Sequence, residues 1–414
     1  MSLQFIFGNS GSGKSHYLYQ QIVEESIRHP EKNYLVLVPE QFTMQTQKDL
    51  CMAHPRGGIM NIDVLSFGRL AHRVFEETGK ERQPILDDEG KNLVLRKIAG
   101  NYEDELTVLK GNLKKQGYIS EVKSVISEFT QYGIDFEQLD SFMEGLNPES
   151  YLYYKLKDIR KVYEGFEDYL RDKYITKEEL LDVLSQTVPE AKMLKDSVIA
   201  MDGFTGFTPV QNRLIGELLK VCDKIMLTVE MDRREDPFVY KHPYQLFALS
   251  KQMVTSLTEV AQEVKVEIDE PVWLCKNPPY RFKENPEMAF LEEELFRYSR
   301  RKYSGEKMQS ISLHEVHTPQ EEAQYVAEEI RRLVREEGYR YREIAVIASD
   351  LNTYADSLEK ACERYEIPVF MDHKKSILLN SFVEYLRSLL VMVEQNYTYE
   401  SVFRYLRTGQ AAAI

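Results

Sequence analysis

The segment Gly8-Asn9-Ser10-Gly11-Ser12-Gly13-Lys14-Ser15 carries the most specific chemistry in this sequence. It has the form GxxxxGK[ST]. Leu3 to Phe7 before it reads as a short buried strand, and His16 to about Ser26 after it as a helix, which is the setting such a loop requires. Glycines let the backbone curl so that its N–H groups converge on a β-phosphate, and the following helix N-terminus adds partial positive charge. Lys14 would bridge β- and γ-phosphates, and Ser15 would place a hydroxyl on Mg²⁺. The eight residues Gly8, Asn9, Ser10, Gly11, Ser12, Gly13, Lys14 and Ser15 therefore predict a site for ATP with Mg²⁺. A Gly/Ser-rich turn that merely matches the pattern is the competing reading.

Such a loop needs a second strand ending in aspartate to hold the metal's water shell. Ser197-Val198-Ile199-Ala200-Met201 is an apolar strand that stops at Asp202, so Ser15 and Asp202 are the expected metal residues. A strand-end turn residue is the alternative for Asp202. In ATPases that drive motors the next residue is usually Glu, which activates the attacking water; here it is Gly203. Losing a positioned general base costs about 10²–10⁴ in rate. The expectation is a site that binds Mg-ATP and hydrolyses it slowly, with no catalytic residue assigned.

Positioning these groups requires a sheet. Tyr34–Val38 and Ile62–Leu65 read as further strands alternating with helices, the pattern of a parallel α/β sheet whose ligands gather beyond the strand carboxyl ends. Pro39–Thr43 and Ser66–Leu70 should lie on that same rim, where Gln, Thr, Phe and Arg suit base stacking and phosphate contact. Ordinary loop capping, with Phe67 in the core, is the alternative. Ile119, Val122, Val125, Ile126 and Phe129 recur at helical spacing, as do Leu152, Leu156, Ile159, Tyr163, Phe166 and Leu170. Residues 77–196 thus read as a helical insertion splitting a first lobe of residues 1–76 and 197–296, with a further strand at Ile225–Val229. Residues 297–307, rich in Arg and Lys, read as a linker whose five basic side chains could meet a phosphate backbone. Residues 308–414 read as a second α/β unit, with strands at Ile311–Leu313, Glu343–Ala348 and around Ile367–Phe370 and a charged helix at Gln320–Glu336. Its ending, Gly-Gln-Ala-Ala-Ala-Ile, shows no cap or closing strand and reads as the edge of a fragment.

Composition bounds the possibilities. The chain has 414 residues, 43% hydrophobic, which excludes disorder, and four scattered cysteines, which excludes a disulfide scaffold. No CxxC pair is present to suggest a zinc ribbon. With no 18-residue apolar run and no leader pattern, a cytoplasmic protein without a membrane partner is expected. A net charge of −14 argues against wholesale coating of DNA. Residues 1–75, with seven Lys and Arg against six Asp and Glu, leave room for a local DNA groove.

Four separated segments in this order, the N-terminal phosphate loop, LVPEQFT, VLSFGRLAHRV and MDGFTGFTPVQ, resemble the AddB family (RexB in streptococci). EEAQYVAEEIRRLVREEGYRYREIAVIASD and the later EIPVFMD are similar to the start of the second RecA-like lobe of UvrD-type helicases. The resemblance spans essentially the whole chain. It implies a P-loop NTPase fold with RecA-like parallel sheets and a non-motor, helicase-like subunit that partners an AddA-type helicase–nuclease as a heterodimer. That complex resects double-stranded DNA breaks until a regulatory sequence, Chi, is held as single-stranded DNA. Carried over by motif, the DNA-binding residues are Gln41, Thr43, Phe67, Arg69, Phe204 and Phe207, while His72 occupies a place where a larger aromatic is expected. Ser349 stands where helicases place an arginine reaching for the γ-phosphate, and there is no room before Leu3 for the upstream glutamine that reads adenine. The family's nuclease domain and its cysteine-bound iron–sulfur cluster would lie beyond Ile414. Two other readings compete: a P-loop phosphotransferase (a kinase), which wants a compact arginine-bearing lid, and an active DNA helicase, which Gly203 and Ser349 disfavour.

Overall fold

The computed structural model describes residues 1–79, 84–112, 115–171, 173–305, 308–372 and 376–410. Glu306 and Lys307 of the expected linker, parts of the expected insertion and the last four residues lie outside the described residues. The chain divides into two compact units, Met1–Ile311 and Ser312–Ile414.

In the first unit β1 (Ser2–Gly8) leads through the phosphate loop into α1 (Lys14–Arg28), followed by β2 (Tyr34–Leu37), α2 (Thr43–Ala53), β3 (Ile62–Leu65) and α3 (Phe67–Thr78). The chain then leaves the sheet for β4 (Ile85–Leu86), α4 (Asp88–Asn101), α5 (Gln116–Tyr132), α6 (Phe136–Glu144), α7 (Tyr151–Leu170), β5 (Ile175–Thr176) and α8 (Leu180–Thr187). It returns with β6 (Val198–Met201), α9 (Pro209–Leu219), β7 (Lys224–Glu230), α10 (Ala248–Glu263), β8 (Glu267–Ile268), β9 (Val272–Trp273) and α11 (Pro286–Glu294).

The main sheet is parallel throughout, in the order β3-β2-β6-β7-β1-β8, and β9 pairs with the end of β1 beyond β8. Strands buried on both faces need near-continuous apolar runs, as Phe5-Ile6-Phe7 and Tyr34–Leu37 supply. Alternation then sorts their side chains. Leu3, Phe5, Phe7, Ile199, Met201 and Leu227 join one core with α3, α8, α9 and α10. Ile6, Val36, Val198, Ala200 and Met226 join the other with Leu18 and Ile22 of α1 and Leu50 of α2. Register places Gly8 beside Glu230, Met201 beside Leu227 and Leu37 beside Leu65, so the strand carboxyl ends share one rim.

Helices α4, α5 and α7 close a separate core around Leu95, Ile98, Ile119, Val122, Ile126, Ile159, Val162 and Phe166. Of the expected stripe, Leu152 is exposed at the start of α7. Leu180, Leu184, Val188 and Leu194, which fall in the segment read as insertion, pack instead into the sheet core. Arg297, read as part of a linker open to a phosphate backbone, is largely buried and pairs with Asp232 and with Glu235 (3.2 Å).

In the second unit α12 (Pro319–Glu336) and α13 (Leu351–Arg364) pack through Ala323, Ala327, Ile330, Leu358 and Cys362, and α14 (Ser381–Glu394) precedes α15 (Tyr399–Arg407). The expected strands at Ile311–Leu313, Glu343–Ala348 and Ile367–Phe370 form no ladder among the described residues, and Glu343 ends a 3-10 turn. Leu313, Ile347 and Phe370 are exposed. An apolar run becomes a strand only when a neighbour takes its N–H and C=O groups, and no such neighbour is present among the described residues.

Candidate nucleotide site and its rim

The phosphate loop turns through two residues in the left-handed region, Gly11 (φ 73°) and Gly13 (φ 91°). A side chain at Gly11 would also strike Arg281 and Phe282, 2.9 and 3.1 Å from a Cβ there. Gly13 caps α1, whose first turn carries no acidic residue to compete for an anion. Lys14 Nζ donates to the Asn9 carbonyl at 2.9 Å, curling back over the loop. Burial lowers the Lys14 ammonium below the ordinary lysine value, opposed by the charges of Glu230 and Asp202. Two buried polar atoms of the loop, Asn9 Oδ1 and Ser12 Oγ, have no hydrogen-bond partner among the described residues. The unpartnered Ser12 hydroxyl, which can donate, together with a curled Gly-rich loop, a desolvated lysine and a helix N-terminus fits a polyphosphate ligand, whereas Asn9 Oδ1 can only accept. Ser15 is exposed at the start of α1.

Asp202 stands one residue past β6 and is 7% exposed. Thr228 of β7 donates to its Oδ1 at 2.5 Å and Tyr19 of α1 donates to its Oδ2 at 2.7 Å. Tyr19 Oη is also 3.3 Å from Thr46 Oγ1 on α2. Burial and the Asp202 charge push the Tyr19 hydroxyl above its ordinary value. Gly203, exposed and left-handed (φ 77°), follows in a backbone conformation that a glutamate would adopt only under strain.

The segment after β9 completes the surroundings of the loop. Leu274 N–H donates to the Phe7 carbonyl at 2.8 Å and Arg281 N–H to the Gly11 carbonyl at 3.0 Å. Asn9 Nδ2 donates to Glu292 of α11 at 2.8 Å, and burial raises the Glu292 carboxyl. Tyr19, Thr228, Arg281 and Glu292 all escaped the sequence reading. No local motif marks them: Tyr19 comes with α1, Thr228 with β7 beside β1, and Arg281 and Glu292 with the chain that follows β9, which pairs with β1 and reaches the same rim.

Of the expected DNA residues, Gln41 and Arg69 are exposed, and the Arg69 guanidinium has no ion-pair partner among the described residues. His72 is exposed on the next turn of α3. Thr43 is buried, and its hydroxyl donates to the Glu40 carbonyl at 3.0 Å. Phe67 is buried at the start of α3, with Phe204 and Phe207 half-buried against it, ring centroids 5.5 and 6.2 Å away and 5.1 Å from each other. The structure thus gathers Phe67, Phe204, Phe207 and Arg69 beyond the ends of β3 and β6, which flank β2. Phe67 is the floor of the cluster, and the other two rings are its partly open face. No group of His, Cys, Asp and Glu suited to a metal occurs among the described residues, and no helix there is long and apolar enough to cross a membrane.

The family model of the AddB N-terminal region matches residues 5–292, and that of the UvrD-like helicase C-terminal domain matches residues 283–405. The chain is 42% identical over 412 residues to the B subunit of the ATP-dependent helicase/deoxyribonuclease of Lachnoclostridium phytofermentans, covering 99% of this chain and 36% of that protein. The proteins of the same description from Clostridium perfringens strain SM101 and Thermoanaerobacter sp. strain X514 are 33% and 34% identical over 409 residues, each match covering 99% of this chain and 35% of the relative. The chain spans about a third of the length of these relatives.

Proposed function

This chain belongs to the AddB family of ATP-dependent helicase/deoxyribonuclease B subunits, and we propose that it is the helicase-like, non-motor part of such a protein. In this reading it works in the cytoplasm beside an AddA-type helicase–nuclease partner, on double-stranded DNA being resected for recombinational repair. It binds Mg-ATP with little hydrolysis and contacts the emerging single strand, including Chi. The observation that carries the reading is the rim itself. A phosphate loop with an unpartnered Ser12 hydroxyl carries Lys14 within reach of the Asp202 charge, and the residue after Asp202 is a left-handed glycine where a motor would hold a carboxylate.

The roles divide by chemistry. The backbone of Gly8 to Gly13 and the α1 N-terminus would hold phosphates, Lys14 would neutralise their charge, and Ser15 with Asp202 would hold Mg²⁺. The metal, when bound, offsets phosphate charge. Without a carboxylate at Gly203 the attacking water lacks the usual base, which supports a site that senses nucleotide more than it spends it. On the rim, Phe204 and Phe207 offer faces for bases and Arg69 a charge for the backbone. The family's iron–sulfur cluster and nuclease chemistry belong, in this reading, to the rest of the longer protein.

The test is nucleotide binding and turnover by the full-length protein with its partner. Wild type is expected to bind an ATP analogue, and Lys14→Ala to lose that binding while the protein stays folded. Turnover at this site, measured with the partner's own phosphate loop disabled, should be about 10²–10⁴ below that of a motor site. DNA-stimulated turnover at motor rates would replace this reading with that of an active helicase.

A further inference from the structure

Asp202 follows Val198 and Ala200 at the alternate spacing of a strand, so its side chain falls on the sheet face covered by α1. Tyr19 reaches it there from the second turn of α1, the helix that begins with Lys14 and Ser15. Tyr19 has a single hydroxyl proton and gives it to Asp202 Oδ2, so the Thr46 hydroxyl is the donor in the contact between the two hydroxyls. Thr228, one residue beyond the β7 residue paired with Met201, takes the other oxygen. Each carboxylate oxygen has two lone-pair directions, so one on each oxygen remains free. Two donors approaching from different elements fix both the plane of the carboxylate and the direction of those free lone pairs.

We propose that Tyr19 and Thr228 are positioning residues that aim Asp202 at the divalent cation of the nucleotide, with Thr46 holding Tyr19 in turn. The inference rests on the nucleotide reading above and adds residues that carry none of the phosphate contacts. One helix then sets both halves of the site: its first turn presents Lys14 and Ser15, and its second turn holds the carboxylate across from them. Outer-sphere partners of this kind cost about 10–100-fold in metal affinity when removed.

The experiment uses the full-length protein in complex with its partner, the partner's own phosphate loop disabled, and a fluorescent ATP analogue titrated with and without Mg²⁺. The Mg²⁺-dependent gain in affinity should fall about tenfold in Tyr19→Phe and in Thr228→Val, with metal-free affinity unchanged, and less in Thr46→Val. A wild-type Mg²⁺ gain in both Tyr19→Phe and Thr228→Val would overturn the proposal, leaving the hydroxyls as mere satisfaction of a buried charge. Equal loss of affinity with and without Mg²⁺ would overturn it too, as general damage to the site. Should Tyr19→Phe fail to fold, Thr228→Val decides alone. Absence of analogue binding by wild type, matching Lys14→Ala, would defeat the nucleotide reading itself and this inference with it. Normal wild-type binding with unaffected variants defeats only the inference.

Discussion

Two buried aspartates in the first unit are satisfied in opposite ways. Asp158, in the helical core, accepts from the backbone N–H groups of Thr107, Val108 and Leu109 at 2.7–3.0 Å, four contacts on one carboxylate. Asp202, on the sheet rim, accepts only from the hydroxyls of Tyr19 and Thr228 among the described residues. Backbone donors are fixed by the chain, so Asp158 works as a staple that shapes the loop between α4 and α5 and has little left to offer a ligand. One hydroxyl donor on each oxygen orients the carboxylate of Asp202 and still leaves a lone pair open on both, so it stays available beside a desolvated lysine. The type of donor, more than burial, separates a structural carboxylate from one kept ready for chemistry.

The sharpest way to break that contrast is to remove each carboxylate in turn. Asp158→Ala orphans the Leu109 N–H inside the helical core and should cost about 3 kcal/mol of stability in denaturant unfolding, with nucleotide binding by the folded protein intact. Asp202→Asn should do the reverse. Its melting transition should shift by less than about 1 kcal/mol equivalent while the Mg²⁺-dependent part of nucleotide affinity falls at least about tenfold. If Asp202→Asn unfolds the protein as readily as Asp158→Ala, the rim carboxylate is a staple as well.

A smaller effect sharpens the picture of the rim. Phe207→Ala removes a half-exposed ring without opening the core beneath Phe67. It should weaken single-strand binding by the assembled complex by about 1–2 kcal/mol, one stacked base, with salt dependence unchanged. Arg69→Ala should instead lower the slope of affinity against salt. A wild-type response in both would return these side chains to ordinary loop packing.

Much of this site can be read from sequence where the physics is local. The strand, curl and helix around Lys14 need only neighbours in the chain, and Asp202 announces itself as the end of an apolar run. Tyr19, Thr228 and Arg281 depend on which strand lies beside which, and a single sequence carries no such pairing signal. The same reason explains the strands expected at Ile311–Leu313, Glu343–Ala348 and Ile367–Phe370. Their apolar runs are present, but pairing is a property of two segments, and among the described residues they have no partner. Leu180, Leu184 and Leu194 mislead in the other direction, since helical periodicity says that a face is buried but not against which core.

A third carboxylate extends the comparison to the case with no donors at all. Glu167 of α7 sits against the helical core near Glu179, and no hydrogen-bond donor reaches its carboxylate among the described residues. Burial, reinforced by the charge of Glu179 and only partly offset by Arg171, pushes its carboxyl up to about 7 from an ordinary 4.5. Below pH 4.5 the group is protonated in both folded and unfolded chains and costs nothing. Between 4.5 and about 7 the unfolded chain releases its proton while the folded one keeps it, so this contribution to stability is lost as pH rises through that window. The group is partly open to solvent, which reduces the full linkage value to about 1 kcal/mol. Glu167→Gln should therefore stabilise the protein by about that amount at pH 8 and leave it unchanged at pH 4, read as the difference in denaturation midpoints against wild type. A difference independent of pH would mean that solvent reaches Glu167 freely. The ordering from backbone-held Asp158 through hydroxyl-held Asp202 to unheld Glu167 would then lose its last member.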